Sequence, residues 1–226
     1  MTIKKPEKPE VNFQLLCDTF DKEWIEDIAT IYSETIKKVN NAGYFGGESG
    51  IGPGLFFDRY KVSGGPPLEI IQDHFKNLFY IPNFGILNFL ILNKKWFSDK
   101  LIVDSGCGVG ILSVFMDKIG IKCYNYDNMS QTGDSHNNDF LREVNRRHDR
   151  DIPYVNKEDD YYTDFQVVTL ASCNGLSSKL SNPDVFLLDS GWQNLLPSET
   201  HTIVYDYSPM MVVSVKNGMK IDFRSS

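Results

Sequence analysis

The sequence has few residues of the kinds that build disulfide frameworks or metal centres. Its 226 residues include four cysteines and four histidines. No two cysteines form a Cys-x-x-Cys pair, and the histidines are scattered. This distribution argues against a zinc site and against a disulfide framework. We therefore expect no metal, and a reducing compartment such as the cytoplasm, in which thiols stay free.

Long apolar runs are also missing. The longest run, near residues 86–92, is too short to cross a bilayer. The first residues, MTIKKPEKPEVNF, lack the apolar centre of a signal peptide. We therefore expect a protein without a membrane partner.

Basic residues are in the minority, with 23 Lys and Arg against 30 Asp and Glu and a net charge of −7. Because neutralising phosphates requires a basic surface, this balance argues against a nucleic-acid substrate. One local basic cluster is interpreted as the solvated face of a helix. It comprises Arg142, Arg146, Arg147, His148 and Arg150.

The most informative segment is Leu101–Ser113, LIVDSGCGVGILS. Three apolar residues lead into Asp104, and an amphipathic stretch begins after Gly106, Gly108 and Gly110. This order predicts a buried strand, a tight glycine turn and a helix. A strand that enters a helix through glycines is typical of corners that bind nucleotide-like ligands.

Two common nucleotide motifs do not fit this segment. The dinucleotide fingerprint requires glycine where Ile111 stands, and no Gly-Lys-Ser/Thr of a P-loop follows. An acid, one spacer and G-x-G-x-G instead resemble motif I of the class I S-adenosylmethionine-dependent methyltransferases. The resemblance implies that the turn lies under the methionine part of S-adenosyl-L-methionine, with Asp104 near its ammonium group. A carboxylate suits such a ligand better than a pyrophosphate, which it would repel.

The next predicted strand, Ile121–Asp127, also ends in an acid. Asp127 follows Gly106 by 21 residues (127 − 106). Doubly wound folds place at about this spacing the acid that receives ribose hydroxyls, and an ionised carboxylate can accept both. The resemblance implies that the cofactor-binding residues are Asp104, Gly106, Gly108, Gly110 and Asp127, together with Cys107 in the turn and Asn128 beside Asp127. These residues are called the cofactor-binding set.

The rest of the chain is expected to complete one sheet. Residues 152–155, 165–170 and 183–189 predict the third to fifth strands, although an alternative register makes the last two segments the third and fourth. The tail over 202–223 predicts an antiparallel hairpin with its turn at Asn217-Gly218. Helices are predicted over 21–41, 67–78, 83–93, 111–119 and 136–147.

The expected fold class is α/β, with a doubly wound, mostly parallel seven-stranded sheet, a C-terminal antiparallel hairpin and a helical N-terminal extension. The chain divides into a disordered tail over 1–11, a helical extension or lid over 12–97, and an S-adenosylmethionine-binding Rossmann-like domain over 98–226. The glycine- and aromatic-rich stretch around Tyr44 is a candidate lid. The alternative is a surface loop packed by its own aromatics.

The resemblance implies further site residues beyond the strand ends. An acid after the third strand often reads the adenine amino group, and Glu158, Asp159 and Asp160 all qualify, with Asp160 taken into the cofactor-binding set. Ser172 follows the strand over 165–170, whose end would face the transferring methyl group.

Recognised acceptor motifs are missing. No Asn-Pro-Pro-Tyr motif ends the fourth strand, no Pro-Cys dipeptide is present, and Asp189 is followed by serine. The first hypothesis is a methyltransferase acting on a small-molecule or protein acceptor, with no catalytic base assigned. The alternative is a catalytically silent methyltransferase-like module that binds a partner. A nicotinamide-dependent oxidoreductase is disfavoured by Ile111.

Overall fold

The structure is a computed structural model. It describes residues 6–40, 73–75, 83–127, 138–157, 165–170, 183–189, 196–207 and 211–224. The candidate lid around Tyr44 and most of the predicted helix over 67–78 lie outside these residues. None of the helices in the described ranges is long and apolar enough to cross a membrane.

Six helices have their bounds in the described ranges. They are α1 Phe13–Thr19, α2 Lys22–Asn40, α3 Phe84–Leu92, α4 Lys94–Phe97, α5 Ile111–Lys118 and α6 Asp139–His148. Helices α2, α3, α5 and α6 match predicted helices to within three residues at each end, whereas α1 and α4 were not predicted. Asn12 caps α1 and Asn83 caps α3, each accepting an N–H three residues further on, at 3.0 and 3.1 Å. After α5, Gly120 N donates to Asp117 O at 2.8 Å, as in a Schellman motif.

Seven strands form one sheet. They are β1 Ile102–Ser105, β2 Cys123–Asp127, β3 Val155–Lys157, β4 Val167–Leu170, β5 Val185–Asp189, β6 His201–Tyr207 and β7 Met211–Lys216. The order is β3-β2-β1-β4-β5-β7-β6. Strands β1 to β5 are parallel, and β7 is antiparallel to both β5 and β6. The predicted fold class is confirmed, since the chain winds outward from β1 in both directions.

Two expectations about the strands are resolved. Because β3 lies at the end of the predicted third strand, segment 165–170 supplies the fourth strand, and the alternative register is wrong. A turn is present at Asn217-Gly218 as predicted, since Met219 N donates to Lys216 O at 3.0 Å and Gly218 has a φ of +86°. The prediction that this turn connects the two strands of the hairpin is wrong. Tyr207 pairs with Met211, so residues 208–210 join β6 to β7. Asn217 instead fastens the end of β7 to the start of β6, since its Oδ1 accepts from Thr202 Oγ1 at 2.6 Å.

Alternate residues of the central strands point to opposite faces of the sheet. In β5, Val185 and Leu187 join the larger apolar cluster, which the six helices also enter. Phe186 and Leu188 join a smaller cluster on the other face. A strand buried on both faces has a continuous apolar sequence. This explains why the segment VFLLD forms a strand although apolar and polar residues do not alternate in it.

The helices that precede β1 share the core with those that follow it. Phe20 and Trp24 contact Phe115 of α5, with ring centroids 4.9 and 5.0 Å apart. Nearer the surface, Arg147 of α6 donates to Glu34 of α2 at 2.6 Å. The predicted division of the chain into extension and Rossmann-like domain stays a prediction.

Residues 6–11 of the predicted disordered tail lie within the described ranges, and Glu7 among them pairs with the sheet edge. Glu7 N donates to Val204 O at 3.0 Å, and Asp206 N donates to Glu7 O at 2.8 Å, along the edge of β6. Val11 is buried in the core. The charged composition of this segment predicted disorder, but main-chain hydrogen bonds to a sheet edge are independent of composition. Residues 1–5 lie outside the described ranges.

Asn93, between α3 and α4, fastens the C-terminal segment to the helices. Its Nδ2 donates to Phe89 O and Arg224 O, both at 2.9 Å, and its Oδ1 accepts from Arg224 N at 2.7 Å. Asn93→Ala should lower the free energy of unfolding in urea by about 2–4 kcal/mol, because these main-chain groups lose their partner. Asn156→Ala is the control, since this exposed amide donates to Tyr154 O, two residues away. Equal losses in both variants would contradict the prediction.

Candidate functional site

The carboxyl ends of β1, β2 and β4 meet where the strand order reverses. Asp104 of β1 is in register with Asn125 of β2 and with Thr169 of β4. Asp127 closes β2, and the glycine turn follows β1. Ligands of open α/β sheets bind in the crevice outside such strand ends. The topology therefore brings both predicted acids and the turn to one corner.

One carbonyl group of β2 holds the turn. Gly106 N and Cys107 N both donate to Tyr126 O, at 2.8 and 3.2 Å. Gly108 and Gly110 have φ values of +57° and +81°, in the left-handed region that side chains disfavour. The tight turn predicted from the sequence is thus confirmed as backbone geometry.

Gly108 and Gly110 have different surroundings. A Cβ added to Gly108 would meet no heavy atom of the described residues within 4 Å. A Cβ added to Gly110 would lie 2.9 Å from Leu141 Cδ1 of α6. Gly110 therefore allows α6 to pack on the turn, whereas Gly108 leaves the main chain open to a ligand.

Asp127 is tied to the turn. Its Oδ2 accepts a hydrogen bond from Gly108 N at 2.8 Å. An ionised carboxylate has about four acceptor positions, so this bond is compatible with accepting ligand hydroxyls as well. The end of β2 thus supports the turn and presents an acid at the same corner.

Asp104 is 1% exposed and accepts from Thr169 Oγ1 at 2.7 Å. Burial raises the pKa of its carboxyl to about 7, against the lowering effect of the Thr169 hydrogen bond and with a smaller contribution from the Asp127 charge. Among the described residues, none forms an ion pair with Asp104. A buried acid in such surroundings gains from a cation, which favours its charged form.

Two buried thiols adjoin this corner. Burial raises the pKa of Cys107 and Cys123 well above the ordinary value, and the Asp104 charge acts in the same direction. Both thiols therefore stay neutral and pack as small apolar groups. Cys107, which the sequence predicts in the site, supplies its main-chain N–H to the turn.

Sequence reasoning missed Thr169 and a buried polar relay. Asn125 Nδ2 donates to Ser113 Oγ at 3.0 Å and to Pro153 O at 2.7 Å, and Ser113 Oγ donates to Gly110 O at 2.7 Å. This relay joins the turn to the segment that enters β3. The sequence feature that could have identified these residues is a polar residue within an otherwise apolar strand, such as Thr169 in VVTL.

Several predicted residues lie outside the described ranges. They are Asn128, Glu158, Asp159, Asp160 and Ser172. Their roles stay predictions.

The basic cluster, which lies on α6 and just after its end, is paired with acids. Arg146 and Arg147 contact Glu143 at 2.6 and 2.7 Å, and Arg150 Nε lies 3.4 Å from Asp117 Oδ2. These pairs agree with the interpretation of the cluster as a solvated helix face.

The two glycines of the turn allow a matched test of its geometry. Gly110→Ala should lower the free energy of unfolding by about 2–5 kcal/mol, because left-handed strain adds to overpacking against Leu141. Gly108→Ala should cost about 1–2 kcal/mol, from the strain alone. Urea unfolding of both variants measures the difference. A larger loss in Gly108→Ala would contradict the described packing.

Asp104 should make stability depend on pH. A carboxyl whose pKa is about 7 in the folded chain and 3.8 as its ordinary value reduces stability as pH rises between these values, because the folded state binds the extra proton. Asp104→Asn removes this dependence and can still accept from Thr169. In urea unfolding, the free energy of unfolding of Asp104→Asn minus that of the unmodified chain should increase by about 2 kcal/mol from pH 5.5 to pH 8. An advantage that does not change with pH would contradict the assignment.

No family model matches this chain. A 66-residue segment is 44% identical to protein arginine N-methyltransferase 1 of Saccharomyces cerevisiae, covering 29% of this chain and 16% of that protein's length. Magnesium protoporphyrin IX methyltransferase from Synechocystis, with bound SAM, has a TM-score of 0.44 at 14% identity over 71% of this chain and 91% of its own. Pyrococcus abyssi tRNA (uracil-54, C5)-methyltransferase, with S-adenosyl-L-homocysteine, has a TM-score of 0.38 at 15% identity, over 58% of this chain and 38% of its own. All three similar proteins are methyltransferases.

Proposed function

We propose that this chain is an S-adenosylmethionine-dependent methyltransferase that acts on a small-molecule or protein acceptor. The observation that carries the proposal is the pair of acids, Asp104 and Asp127, beside a glycine turn at the topological switch point. The partial identity with a curated methyltransferase supports the same conclusion.

The groups at this corner fit the charges of the cofactor. Asp104 is a buried acid with no cation paired to it among the described residues, and an ammonium group would supply that cation. Asp127 would accept the ribose hydroxyls, and Gly108, where no described atom would meet a Cβ, would admit the ligand close to the main chain. A pyrophosphate would be repelled by Asp127, and by Asp104 whenever that carboxyl is ionised.

The curated relative indicates which acceptor to test first. Its name assigns it to arginine residues of proteins, and we propose protein arginine side chains as the first acceptor class to examine. Because the match covers 16% of that relative, a small-molecule acceptor remains part of the proposal. The net charge of −7 favours either class over a nucleic acid.

The bound cofactor would supply a methyl group that its sulfonium already activates. The chain's own contribution is to bind and orient: Asp104 would hold the ammonium end, Asp127 the ribose, and the turn the segment between them. Holding an acceptor atom in line contributes roughly 7–11 kcal/mol in favourable reactions. A general base is required only where the acceptor must lose a proton, and we assign that role to none of the described residues.

We also propose that the protein works in the cytoplasm. The support is chemical, since Cys17, Cys107 and Cys123 are free thiols. Free thiols are typical of reducing compartments.

Asp127→Ala should weaken binding of S-adenosyl-L-methionine more than tenfold, about 1.4 kcal/mol. The reason is that the ribose hydroxyls and Gly108 N would lose the same acceptor. Isothermal titration calorimetry measures the change. Asp151→Ala is the matched control, because Asp151 is an exposed acid that precedes β3 and is not part of the turn. An unchanged affinity in Asp127→Ala would contradict the assignment.

The experiment on the unmodified chain is calorimetry with S-adenosyl-L-methionine and with S-adenosyl-L-homocysteine. Micromolar binding of either would support the cofactor site. Transfer of a labelled methyl group to arginine-containing peptides would then support the acceptor proposal. Binding without transfer to any peptide or small-molecule pool would favour the catalytically silent module. No binding by a folded chain would refute the proposal.

A further inference from the structure

The Thr169 hydroxyl lies between two oxygen atoms that compete for its single proton. Thr169 Oγ1 is 2.7 Å from Asp104 Oδ1 and 3.3 Å from Val103 O. A main-chain carbonyl can only accept, whereas a carboxyl group accepts when ionised and donates when protonated. The same geometry therefore satisfies both protonation states of Asp104.

The two states differ in the direction of the hydrogen bonds. With Asp104 ionised, Thr169 donates to the carboxylate. With Asp104 protonated, the carboxyl donates to Thr169 Oγ1, and the hydroxyl proton turns to Val103 O. No side chain has to move between the two states.

The described groups that face Asp104 are neutral or acidic. They are Thr169 from β4, Cys107 from the turn, and Cys123 and Asp127 from β2. Burial disfavours the carboxylate and holds the pKa of Asp104 near 7, and the Asp127 charge acts in the same direction. The neutral carboxyl is therefore a major form of the free protein around neutral pH.

We propose that Asp104 exchanges its proton for the cationic end of the cofactor, with Thr169 as the positioning residue. This inference rests on the proposed function. In the free protein the protonated carboxyl donates to Thr169. When the ammonium group binds, the proton passes to the solvent, the hydroxyl turns from Val103 O to the carboxylate, and the carboxylate pairs with the ammonium. One proton leaves as one cationic group enters, so the charge of the buried site is balanced.

The exchange makes cofactor affinity depend on pH. Because the proton and the ammonium group compete for one carboxylate, affinity should rise roughly five- to tenfold from pH 6.0 to pH 7.5. At pH 6.5 binding should release on the order of 0.5–0.8 proton per cofactor. A permanently ionised Asp104 would give neither effect.

Calorimetry at pH 6.5 in buffers of different ionisation enthalpy measures the protons released on binding of S-adenosyl-L-methionine. The unmodified chain should release protons, and Asp104→Asn, binding more weakly, should not. Thr169→Val removes the donor to the carboxylate and should move the pH profile of binding to higher pH. Thr169→Ser keeps a hydroxyl and should restore the profile. A purely structural role for Thr169 would change the affinity equally at every pH.

Carbon-13 NMR of labelled aspartates follows the titration of the Asp104 carboxyl in the free chain, and the spectrum of Asp104→Asn identifies its signal. The midpoint of this titration is expected near pH 7, and a titration midpoint below pH 5 would overturn the proposal whether or not the cofactor binds. Cofactor binding without proton release would also overturn it and leave the proposed function intact. A midpoint near pH 7 in a chain that binds no cofactor would overturn the proposed function and the exchange with it.

Discussion

The pairing of β1 with β2 on one side and β4 on the other is the constraint on which the site depends. Because β1 and β2 are parallel neighbours with Ser105 in register with Tyr126, the end of β2 lies beside the turn that follows β1. Tyr126 O accepts hydrogen bonds from Gly106 N and Cys107 N, and the Asp127 carboxylate accepts one from Gly108 N. The sheet register therefore fixes the turn before any ligand is present.

The same pairing places Asp104 in an environment that opposes its charge. Asp104 is 1% exposed in the centre of a parallel sheet, so at pH values above the ordinary pKa of an aspartate its burial destabilises the folded state. The single hydrogen bond from Thr169 offsets only part of that destabilisation. An apolar residue would suit the strand better. A buried acid that destabilises its own strand is expected where a ligand, and not folding, requires the charge.

The features that the sequence predicted are those that neighbouring residues specify. Asp104, the glycines and the start of α5 lie within one short segment, so turn chemistry and periodicity were sufficient. Thr169 was not linked to Asp104 because the contact spans 65 residues and follows from strand pairing. The local signal at Asn217-Gly218 does mark a turn, but it carries no information about which strands pair. The register of β6 and β7 places the hairpin connection at 208–210 instead.

The buried polar residues of the parallel strands extend this argument beyond the motif. Asp104, Ser105, Asn125 and Thr169 are all buried in β1, β2 and β4, near the ends that meet at the turn. In β5, one strand further from the turn, residues 185–188 are apolar and buried. Each buried polar group needs a partner to offset its desolvation, so they favour the fold less than apolar residues would. Their concentration at one corner therefore supports the proposed site, by an argument that does not use the glycine motif.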